Sequence, residues 1–570
     1  MKGSLKIKFT TWVGQIPAPS RKIGLVCLYG ICGSLVGIAF HHVIEFLFRW
    51  IWSPFRQMDL LHFILYSFPV LLGAGLMSGI LMVFGASSAA GSGIPQLKLA
   101  FWKEHGVIPL RPLFVKFLAG SITVGGGMSL GREGPTVYIA GGLTSWIGRR
   151  MGVILSDQRL AMACGASAGL AAAFNTPIAA VTFVLEEVIE DLNSRFIGSI
   201  LLASVVSVFC LYLFVGNTPV FIIPTVTQFH WQVYFLTVFV AAFAAMIGVQ
   251  FQKISLGWRL YIKKTSRVPV FLRPVLGAMV TWFAASVVFG FTGRMGVLGL
   301  GYEDLAETLA GNLALSTVLG LLIAKLIATI SCYSWGGCGG IFAPTLFFGA
   351  MVGALFGMAG QQVLPLHGDD VSILAVVGMT ACLGAVVRAP ITSILIVFEM
   401  THHFEMVPPL MLGMLVSQAV SRLEGHQNFY TKVLEDDGEE MDRYIGVRDF
   451  QEWKERKLRD HMSFRPHCLH DWSMESIRSL VAQSSYAFYP VVDARGLLQG
   501  VISREDLIQY LKNQNHSGLR EGTGISVEAT LGDVQEKLLK SDSNFLVVTA
   551  PDSLLVLGVF TLHDLMRTQS

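Results

Sequence analysis

The sequence predicts an all-α polytopic membrane protein that ends in a small soluble α/β domain. Of the 570 residues, 53% are hydrophobic and only 14% are charged, whereas soluble domains carry about 25% charged residues. Residues 1–430 carry 26 basic and 17 acidic side chains, a net charge of +9, and residues 431–570 carry 16 and 22, a net charge of −6. This division excludes a wholly soluble enzyme, a secreted disulfide scaffold and a disordered chain.

Long apolar runs predict the membrane helices. A bilayer is spanned by about 20 apolar residues, and seven runs reach or approach this length: 23–52, 62–84, 196–215, 231–250, 271–291, 313–331 and 407–421. Five basic residues between Lys2 and Lys22 precede the first run, so the N-terminus is expected in the cytoplasm. Three other apolar segments are broken by glycine and proline: 115–152, 160–190 and 340–400. Broken helices at membrane depth lie inside protein or line a watery cavity.

An internal repeat relates the two halves of the membrane domain. The spacing of Lys116, Gly131 and Pro135 recurs in Lys325, Gly340 and Pro344, and that of Gly165, Pro177 and Glu186 recurs in Gly378, Pro390 and Glu399. Transporters are often built from two such repeats, with the binding site at the repeat interface. The site is therefore expected between the halves.

The repeat also sorts the acidic residues of the membrane domain. Ionisable groups at membrane depth are costly and are functional candidates by default. Glu186 has an equivalent in Glu399, which predicts a structural role common to both halves. Glu187 aligns with Met400, and Glu133 aligns with Phe342. An acid that occurs in one half only points to function.

Three glycine-rich loops are candidates for an anion site: GSGIP (91–95), GREGP (131–135) and GGIFAP (339–344). Glycine lets backbone N–H groups approach a ligand, proline is suited to the start of a helix, and helix N-termini attract anions. No Gly-Lys-Ser/Thr closes any loop, which excludes a phosphate loop. The alternative is that the glycines serve only close helix packing. A carboxylate at the second loop, Glu133, would compete with the anion until it is protonated.

The tail contains two similar units, YPVVDARGLLQGVISREDL and FLVVTAPDSLLVLGVFTLHDL. Each predicts a strand, a turn, a second strand and a capped helix. The predicted domains are a cytoplasmic N-terminal segment (1–22), the membrane domain (23–430), a charged linker (431–460) and the soluble domain (461–570). The eight cysteines form no CxxC pair, and the histidine pairs 41–42 and 402–403 are adjacent. Neither a disulfide framework nor a metal site is expected.

Taken together and in this order, the three loops resemble the selectivity-filter motifs of the CLC chloride channel and transporter family. The resemblance covers about 23–430 and implies inverted repeats (roughly 23–215 and 231–430), a homodimer in the lipid bilayer of the inner membrane, and cytoplasmic termini. It implies a filter made of Gly91, Ser92, Gly93, Ile94, Pro95, Gly131, Arg132, Glu133, Gly134, Pro135, Gly340, Ile341, Phe342, Ala343 and Pro344.

The resemblance also implies individual roles. The hydroxyls of Ser92 and Tyr430 and the backbone amides of Ile341 and Phe342 would bind a central chloride. Glu133 matches the family's gating glutamate, and Glu187 matches its internal proton-transfer glutamate. Ser92 in an intact GSGIP favours chloride over nitrate or fluoride. Gln96 and Lys98 stand where some bacterial members have acids, which leaves local salt bridges and pH dependence open.

The tail resembles a tandem CBS pair (about 461–512 and 525–570). In many such pairs a Ser/Thr-x-x-Asp motif binds the ribose and phosphates of an adenine nucleotide, and here the motif residues are Ser503, Asp506, Thr561 and Asp564. The alternative is that these residues only cap their helices. No cofactor is expected to be required.

The sequence therefore predicts a membrane transporter rather than an enzyme. The expected function is chloride/proton antiport, regulated by the CBS domains. One alternative is a passive proton-gated chloride channel, in which Glu187 is incidental. Another is a nucleotide-sensing regulatory protein that the membrane part merely anchors. No nucleic-acid partner is expected.

Overall fold

The structure is a computed structural model that describes residues 18–216, 219–221, 223, 230–423, 425, 427–439, 456–464, 466–484, 486–513, 518–540, 545–551 and 553–568. The chain divides into two units, Met1–Tyr444 and Ile445–Ser570. Most of the predicted N-terminal segment and of the predicted charged linker lies outside the described residues. Residues 431–436, which were assigned to that linker, form a helix in the first unit.

The long secondary-structure elements that the structure describes in the first unit are all helices. Its α-helices are α1 Ala18–Trp52, α2 Leu60–Gly85, α3 Ile94–Trp102, α4 Leu110–Gly125, α5 Glu133–Arg150, α6 Leu155–Phe174, α7 Pro177–Phe183, α8 Ile197–Phe214, α9 Trp231–Thr265, α10 Arg273–Thr292, α11 Tyr302–Leu309, α12 Leu315–Ser334, α13 Phe342–Gly360, α14 Gly368–Val387, α15 Pro390–Thr401, α16 Val407–Leu423 and α17 Phe429–Asp436. A π-helical turn, Val184–Ile189, continues α7.

Nine helices among the described residues are long and apolar enough to cross a membrane, and the protein is a multi-pass membrane protein. All seven predicted apolar runs form such helices, and 115–152 and 160–190 are broken as predicted. The segment 340–400 is also broken, into α13, α14 and α15, although α13 and α14 are each long and apolar enough to cross a membrane. Their glycines lie where the helices cross, and a β-carbon at Gly349 or Gly378 would overlap the other residue's carbonyl oxygen. Glycine here permits close helix packing.

The two repeats pack with opposite chain directions. Gly131 and Gly340, which are equivalent in the repeat, form an antiparallel bridge whose two N–H···O hydrogen bonds measure 2.7 and 2.6 Å. The carboxylate of Glu399 accepts hydrogen bonds from the amides of Ile178 and Ala179 at the start of α7. Antiparallel pairing of equivalent residues is the relation that an inverted repeat produces.

Glu186 makes the reciprocal contact in the other half. It accepts hydrogen bonds from the amides of Ile391 and Thr392 at the start of α15, and also from the Thr392 hydroxyl. Each glutamate thus caps the helix that carries the other one, since Glu186 follows α7 and Glu399 lies in α15. The predicted shared structural role of this pair is confirmed.

The second unit contains two β-hairpins, each followed by a helix. Its elements are β1 Ser463–Phe464, α18 Met474–Gln483, β2 Phe488–Val492, β3 Leu498–Ser503, α19 Arg504–Asn513, β4 Gly524–Ser526, α20 Leu531–Lys540, β5 Phe545–Thr549, β6 Val556–Thr561 and α21 Leu562–Thr568. The sheet order is β1-β6-β5-β4, with β2-β3 as a separate pair. Both predicted strand–turn–strand–helix units are present.

Candidate functional site

Each of the three glycine-rich loops leads into the start of a helix. Helix α3 begins at Ile94, and its N-cap, Gly93, has φ +96°, which favours glycine. Helix α5 begins at Glu133, and α13 begins at Phe342 directly after its N-cap Ile341. The first four N–H groups of a helix lack intrahelical acceptors. The loops therefore present three helix N-termini, as their glycine–proline pattern predicts.

Backbone contacts bring the three loops together. The Gly131–Gly340 bridge joins the second loop to the third. The amide of Gly91 donates to the carbonyl of Gly337 over 3.1 Å, which joins the first loop to the residues directly before the third. Gly134 lies so close to Ser92 that a β-carbon would overlap the Ser92 hydroxyl oxygen. The predicted filter loops thus form one structure.

We expect Gly134→Ala to weaken chloride binding about tenfold. The added methyl group must displace Ser92 from the loop, and overpacking of this kind costs about 1–3 kcal/mol. Chloride titration calorimetry on the purified protein measures the effect. Gly320→Ala is the matched control, because a β-carbon at Gly320 in α12 meets no atom within 4 Å. Equal affinity in both variants would contradict the packing argument.

Glu133 is the first residue of α5, and its side chain reaches the N-terminal end of α13. Its side chain is buried, and its Oε2 accepts a hydrogen bond from the amide of Ala343 over 3.4 Å. Its Oε1 accepts a hydrogen bond from the hydroxyl of Tyr302 over 3.0 Å. The carboxylate therefore uses a donor that an anion would otherwise use.

Tyr302 belongs to a fourth loop that the sequence analysis missed. Gly299 and Gly301 have φ +52° and +74°, and α11 starts at Tyr302, as α3 starts at Ile94 after Gly91 and Gly93. The fourth loop lies 208 residues after the first, which is close to the repeat offset. It lacks the proline that marks the other three loops, so its sequence pattern is weaker.

Two buried lysines hold these related loops. Nζ of Lys116 donates to the carbonyl of Gly91 over 3.1 Å, and Nζ of its repeat equivalent Lys325 donates to the carbonyl of Gly299 over 2.7 Å. Lys325 also bonds the carbonyl of Gly296. The equivalence of these contacts confirms that the first and fourth loops correspond. The lysines act on backbone and leave the anion site to amides and hydroxyls.

A cavity of about 650 Å³ lies close to Glu133. Its lining includes Tyr302 and Arg132, and Asn175 and Arg294 add polar groups. The Arg132 guanidinium lies over the Tyr302 ring, 5.8 Å from the ring centre. Tyr302 thus contacts the Glu133 carboxylate and also lines this cavity, in which acids such as Glu303 and Asp304 lie beside the arginines.

We expect Tyr302→Phe to raise chloride movement at neutral pH about tenfold. The hydroxyl holds Glu133 in place, and a hydrogen bond to a charged group contributes about 1.5–3 kcal/mol. Chloride efflux from proteoliposomes measures this. In a Glu133→Ala background the same change should have no effect, because the hydroxyl then has no carboxylate to hold. An increase of equal size in both backgrounds would show that Tyr302 acts elsewhere.

The hydroxyls of Ser92 and Tyr430 are the next part of the site. They lie close enough to interact, yet neither makes a hydrogen bond of ordinary geometry to any group that the structure describes. Both side chains are buried. Tyr430 is the second residue of the short helix α17 and thus lies near a helix start. Two buried hydroxyl groups that lack hydrogen-bond partners in the described part of the chain can donate to a bound anion.

Glu187 lies in the π-helical turn after α7, and its buried carboxylate is held from two sides. Nδ2 of Asn428 donates to both carboxylate oxygens, over 3.1 and 2.9 Å. Nζ of Lys98 lies 3.2 Å from Oε1. Tyr430 is close enough to interact electrostatically with both Glu187 and Glu133. The phenol is therefore a neighbour of both acids that the repeat singled out.

A sequence model described as the voltage gated chloride channel matches residues 73–422, well over half of the chain. The chain belongs to this family. A model of the CBS domain matches residues 458–513, within the second unit.

Solved structures of the same family share the fold. A slow cyanobacterial Cl⁻/H⁺ antiporter is 24% identical with a TM-score of 0.63, covering 75% of this chain and 98% of its own. A eukaryotic CLC transporter is 19% identical with a TM-score of 0.59, covering 95% and 97%. A CLC-type fluoride/proton antiporter is 20% identical with a TM-score of 0.61, covering 72% and 97%.

Within the family fold, the sequence analysis found Ser92, Glu133, Ile341, Phe342 and Tyr430 but missed several residues around them. Lys98 was noted only as a departure from the family pattern, and Asn428 carries no motif. Glu190 ends the π-helical turn and was not separated from the exposed acids beside it. Polar side chains such as these become candidates only when the fold shows which acid they touch.

The four CBS motif residues lie in the second unit, where they form two helix caps. Ser503 and Asp506 hydrogen-bond each other at the start of α19, and Thr561 and Asp564 do the same at α21. The predicted capping role is confirmed. It leaves the nucleotide hypothesis as a separate question.

Proposed function

We propose that the protein is a chloride/proton antiporter. The observation that carries this proposal is the position of Glu133, whose carboxylate takes the amide of Ala343 at the N-terminus of α13. An ionised Glu133 and an anion compete for the same donors. A protonated Glu133 loses its charge and releases them. The release of the donors to chloride is therefore tied to the uptake of a proton.

A second acid gives the proton a way to the other side. Glu187 is buried, belongs to one repeat only, and interacts electrostatically with Tyr430, which also interacts with Glu133. Chloride bound by the Ser92 and Tyr430 hydroxyls and by the amides of Ile341 and Phe342 would lie between the acids. Glu133 then exchanges protons at one end of the path, and Glu187 at the other.

The alternative is a passive proton-gated chloride channel. This reading keeps the filter and the Glu133 gate, and it leaves Glu187 without a task. The hydrogen bonds from Asn428 and the ion pair with Lys98 favour antiport, because they hold a costly buried carboxylate in one defined position.

Proton movement in proteoliposomes, driven only by an imposed chloride gradient, tests the proposal. Uphill proton pumping with opposite direction to chloride is the expected result. Chloride movement with a silent pH electrode would establish the channel. A chain truncated near residue 440 should still move chloride, whereas its complete inactivity would favour the third reading, in which the membrane part is an anchor.

We further propose that the second unit regulates transport by binding an adenine nucleotide at Ser503, Asp506, Thr561 and Asp564. Millimolar ATP is expected to raise the melting temperature of the full-length protein by a few degrees. The variants Asp506→Ala and Asp564→Ala should lose this shift.

The control for those two variants is Asp533→Ala. Asp533 forms the same cap with Thr530 at the start of α20, outside the two hairpins. Loss of a cap costs about 1 kcal/mol, so all three variants should melt lower without nucleotide. An ATP shift that survives in Asp506→Ala and Asp564→Ala would leave these residues with capping alone.

The remaining parts of the proposal concern assembly and placement. We place a homodimer in the inner membrane, with both termini in the cytoplasm and with chloride and protons as the transported species. The basic residues between Lys2 and Lys22 support the orientation.

A further inference from the structure

Lys98 is a fully buried cation that contacts two acids. Its Nζ lies 2.5 Å from Glu190 Oε1 and 3.2 Å from Glu187 Oε1, and it donates to the hydroxyl of Thr431 over 3.0 Å. An ammonium group has three donors, so these three partners account for all of them. Lys98 therefore links a deeply buried acid to a second acid that nothing so far has explained.

The two acids differ in their access to water. The side chain of Glu187 is 2% exposed and that of Lys98 is 0% exposed, whereas the side chain of Glu190 is 25% exposed. Glu190 also adopts φ +57°, a conformation that non-glycine residues rarely use. The local backbone thus turns its carboxylate back toward Lys98.

The net charge of this cluster determines how many protons it binds. Two carboxylates and one ammonium group carry a net charge of −1, and burial of uncompensated charge is costly. Binding one proton makes the cluster neutral. A second proton would leave a net positive charge in the same buried place. Interacting acids of this kind titrate together, so the proton belongs to the group and not to one residue.

The other groups that act on Glu187 do not change this count. Besides Lys98 and Glu190, the neighbours that interact with it among the residues that the structure describes are the neutral amide of Asn428 and the phenol of Tyr430. The adjacent Glu186 is turned away to the start of α15.

We infer that Glu187, Lys98 and Glu190 form one unit that takes up a single proton, which enters at Glu190 and leaves at Glu187. This inference rests on the proposed antiport function. A proton from water binds the Glu190 carboxylate. Lys98 then gives one of its protons to Glu187 and takes the proton from Glu190. The ammonium group ends as it began, and one proton has moved from Glu190 to Glu187.

If the three residues act as one unit, replacing Glu190 should change proton movement, whereas a relay by Glu187 acting alone predicts no such effect. In Glu190→Gln the remaining pair, Glu187 and Lys98, is already neutral and has no need of a proton. Proton movement should fall at least tenfold although Glu187 is intact. In the double variant Lys98→Gln/Glu190→Gln the net charge is again −1, but the entry acid and the relay are both gone. Proton movement should stay at least tenfold below the wild type, because no proton can reach Glu187 by this path.

The experiment measures chloride-driven proton pumping and chloride efflux in proteoliposomes of the full chain. Asp191→Asn is the matched control, because it removes an exposed charge from the next residue, and it should pump protons like the wild type. Glu190→Asp keeps the charge and should retain pumping within about threefold. Size-exclusion profiles and chloride efflux show whether each variant is folded.

The outcomes separate the two proposals. A wild type that moves chloride and no protons would overturn the antiport function itself. A wild type that couples, together with a Glu190→Gln variant that couples equally well, would overturn only the inference. So would a double variant that pumps as well as the wild type. If Glu190→Gln yields no folded protein, absence of pumping in a folded Glu190→Asp would overturn the inference as well.

Discussion

Replacement of Glu187 by glutamine is expected to abolish proton movement while chloride movement continues. Glutamine keeps the size of the side chain, and its one amide oxygen can still accept a hydrogen bond from Asn428, but it cannot take up and release a proton. We expect at least a hundredfold loss of chloride-driven proton pumping, measured in proteoliposomes. Chloride efflux should remain within about tenfold of the wild type.

The neighbouring acid supplies the control for this prediction. Glu186→Gln removes the charge next to it in sequence, yet Glu186 caps α15 and takes no part in the proposed path. This variant should pump protons and should lose about 1 kcal/mol of stability, because the hydrogen bonds to a charged acceptor become weaker. If Glu187→Gln pumps as well as Glu186→Gln, the relay assignment is wrong.

Replacement of Glu133 by alanine is the second large effect that we expect. Without the carboxylate, the amide of Ala343 is available to chloride at every pH. Chloride binding should tighten about tenfold, chloride efflux should lose its dependence on pH, and proton pumping should fall below detection. Calorimetry and efflux assays across the pH range measure these changes.

The pH profile decides the role of Glu133. Efflux that still rises as the pH falls in Glu133→Ala would place the proton-sensitive gate on another group. Glu399→Gln is a suitable comparison, because that glutamate is also largely buried but caps α7. It should keep the pH dependence of the wild type. Loss of chloride movement in Glu133→Ala would by itself leave antiporter and channel undecided, since both depend on this gate.

The sequence was sufficient to locate the three loops at helix starts because the pattern that marks them is local. A glycine followed by a proline at the start of a helix is a short-range pattern, and Gly93, Glu133 and Phe342 all lie where that pattern predicts a helix to begin. The repeat added long-range information. It separated Glu186, which has an equivalent, from Glu187, which has none.

Other features depend on tertiary contacts and could not be predicted in this way. The glycines inside α13 and α14 do not interrupt either helix. They permit the two helices to cross at close distance, which only the fold shows. Tyr302 is an unremarked residue until the fold places its hydroxyl on Glu133, 169 positions earlier in the chain. Burying a cation is costly, so the sequence alone does not place Lys98 in the core. Its charge is compensated by the two acids that the fold brings to it.

The reciprocal capping by Glu186 and Glu399 has a consequence for how the protein is made. While the ribosome is still translating the second half, the amides of Ile178 and Ala179 have no carboxylate to receive them. The first half therefore reaches its final form only after residue 399 has been synthesised. The same reciprocal capping is what gene duplication would produce. Two copies of a single-repeat ancestor, inserted in opposite orientations, would cap each other with one and the same glutamate.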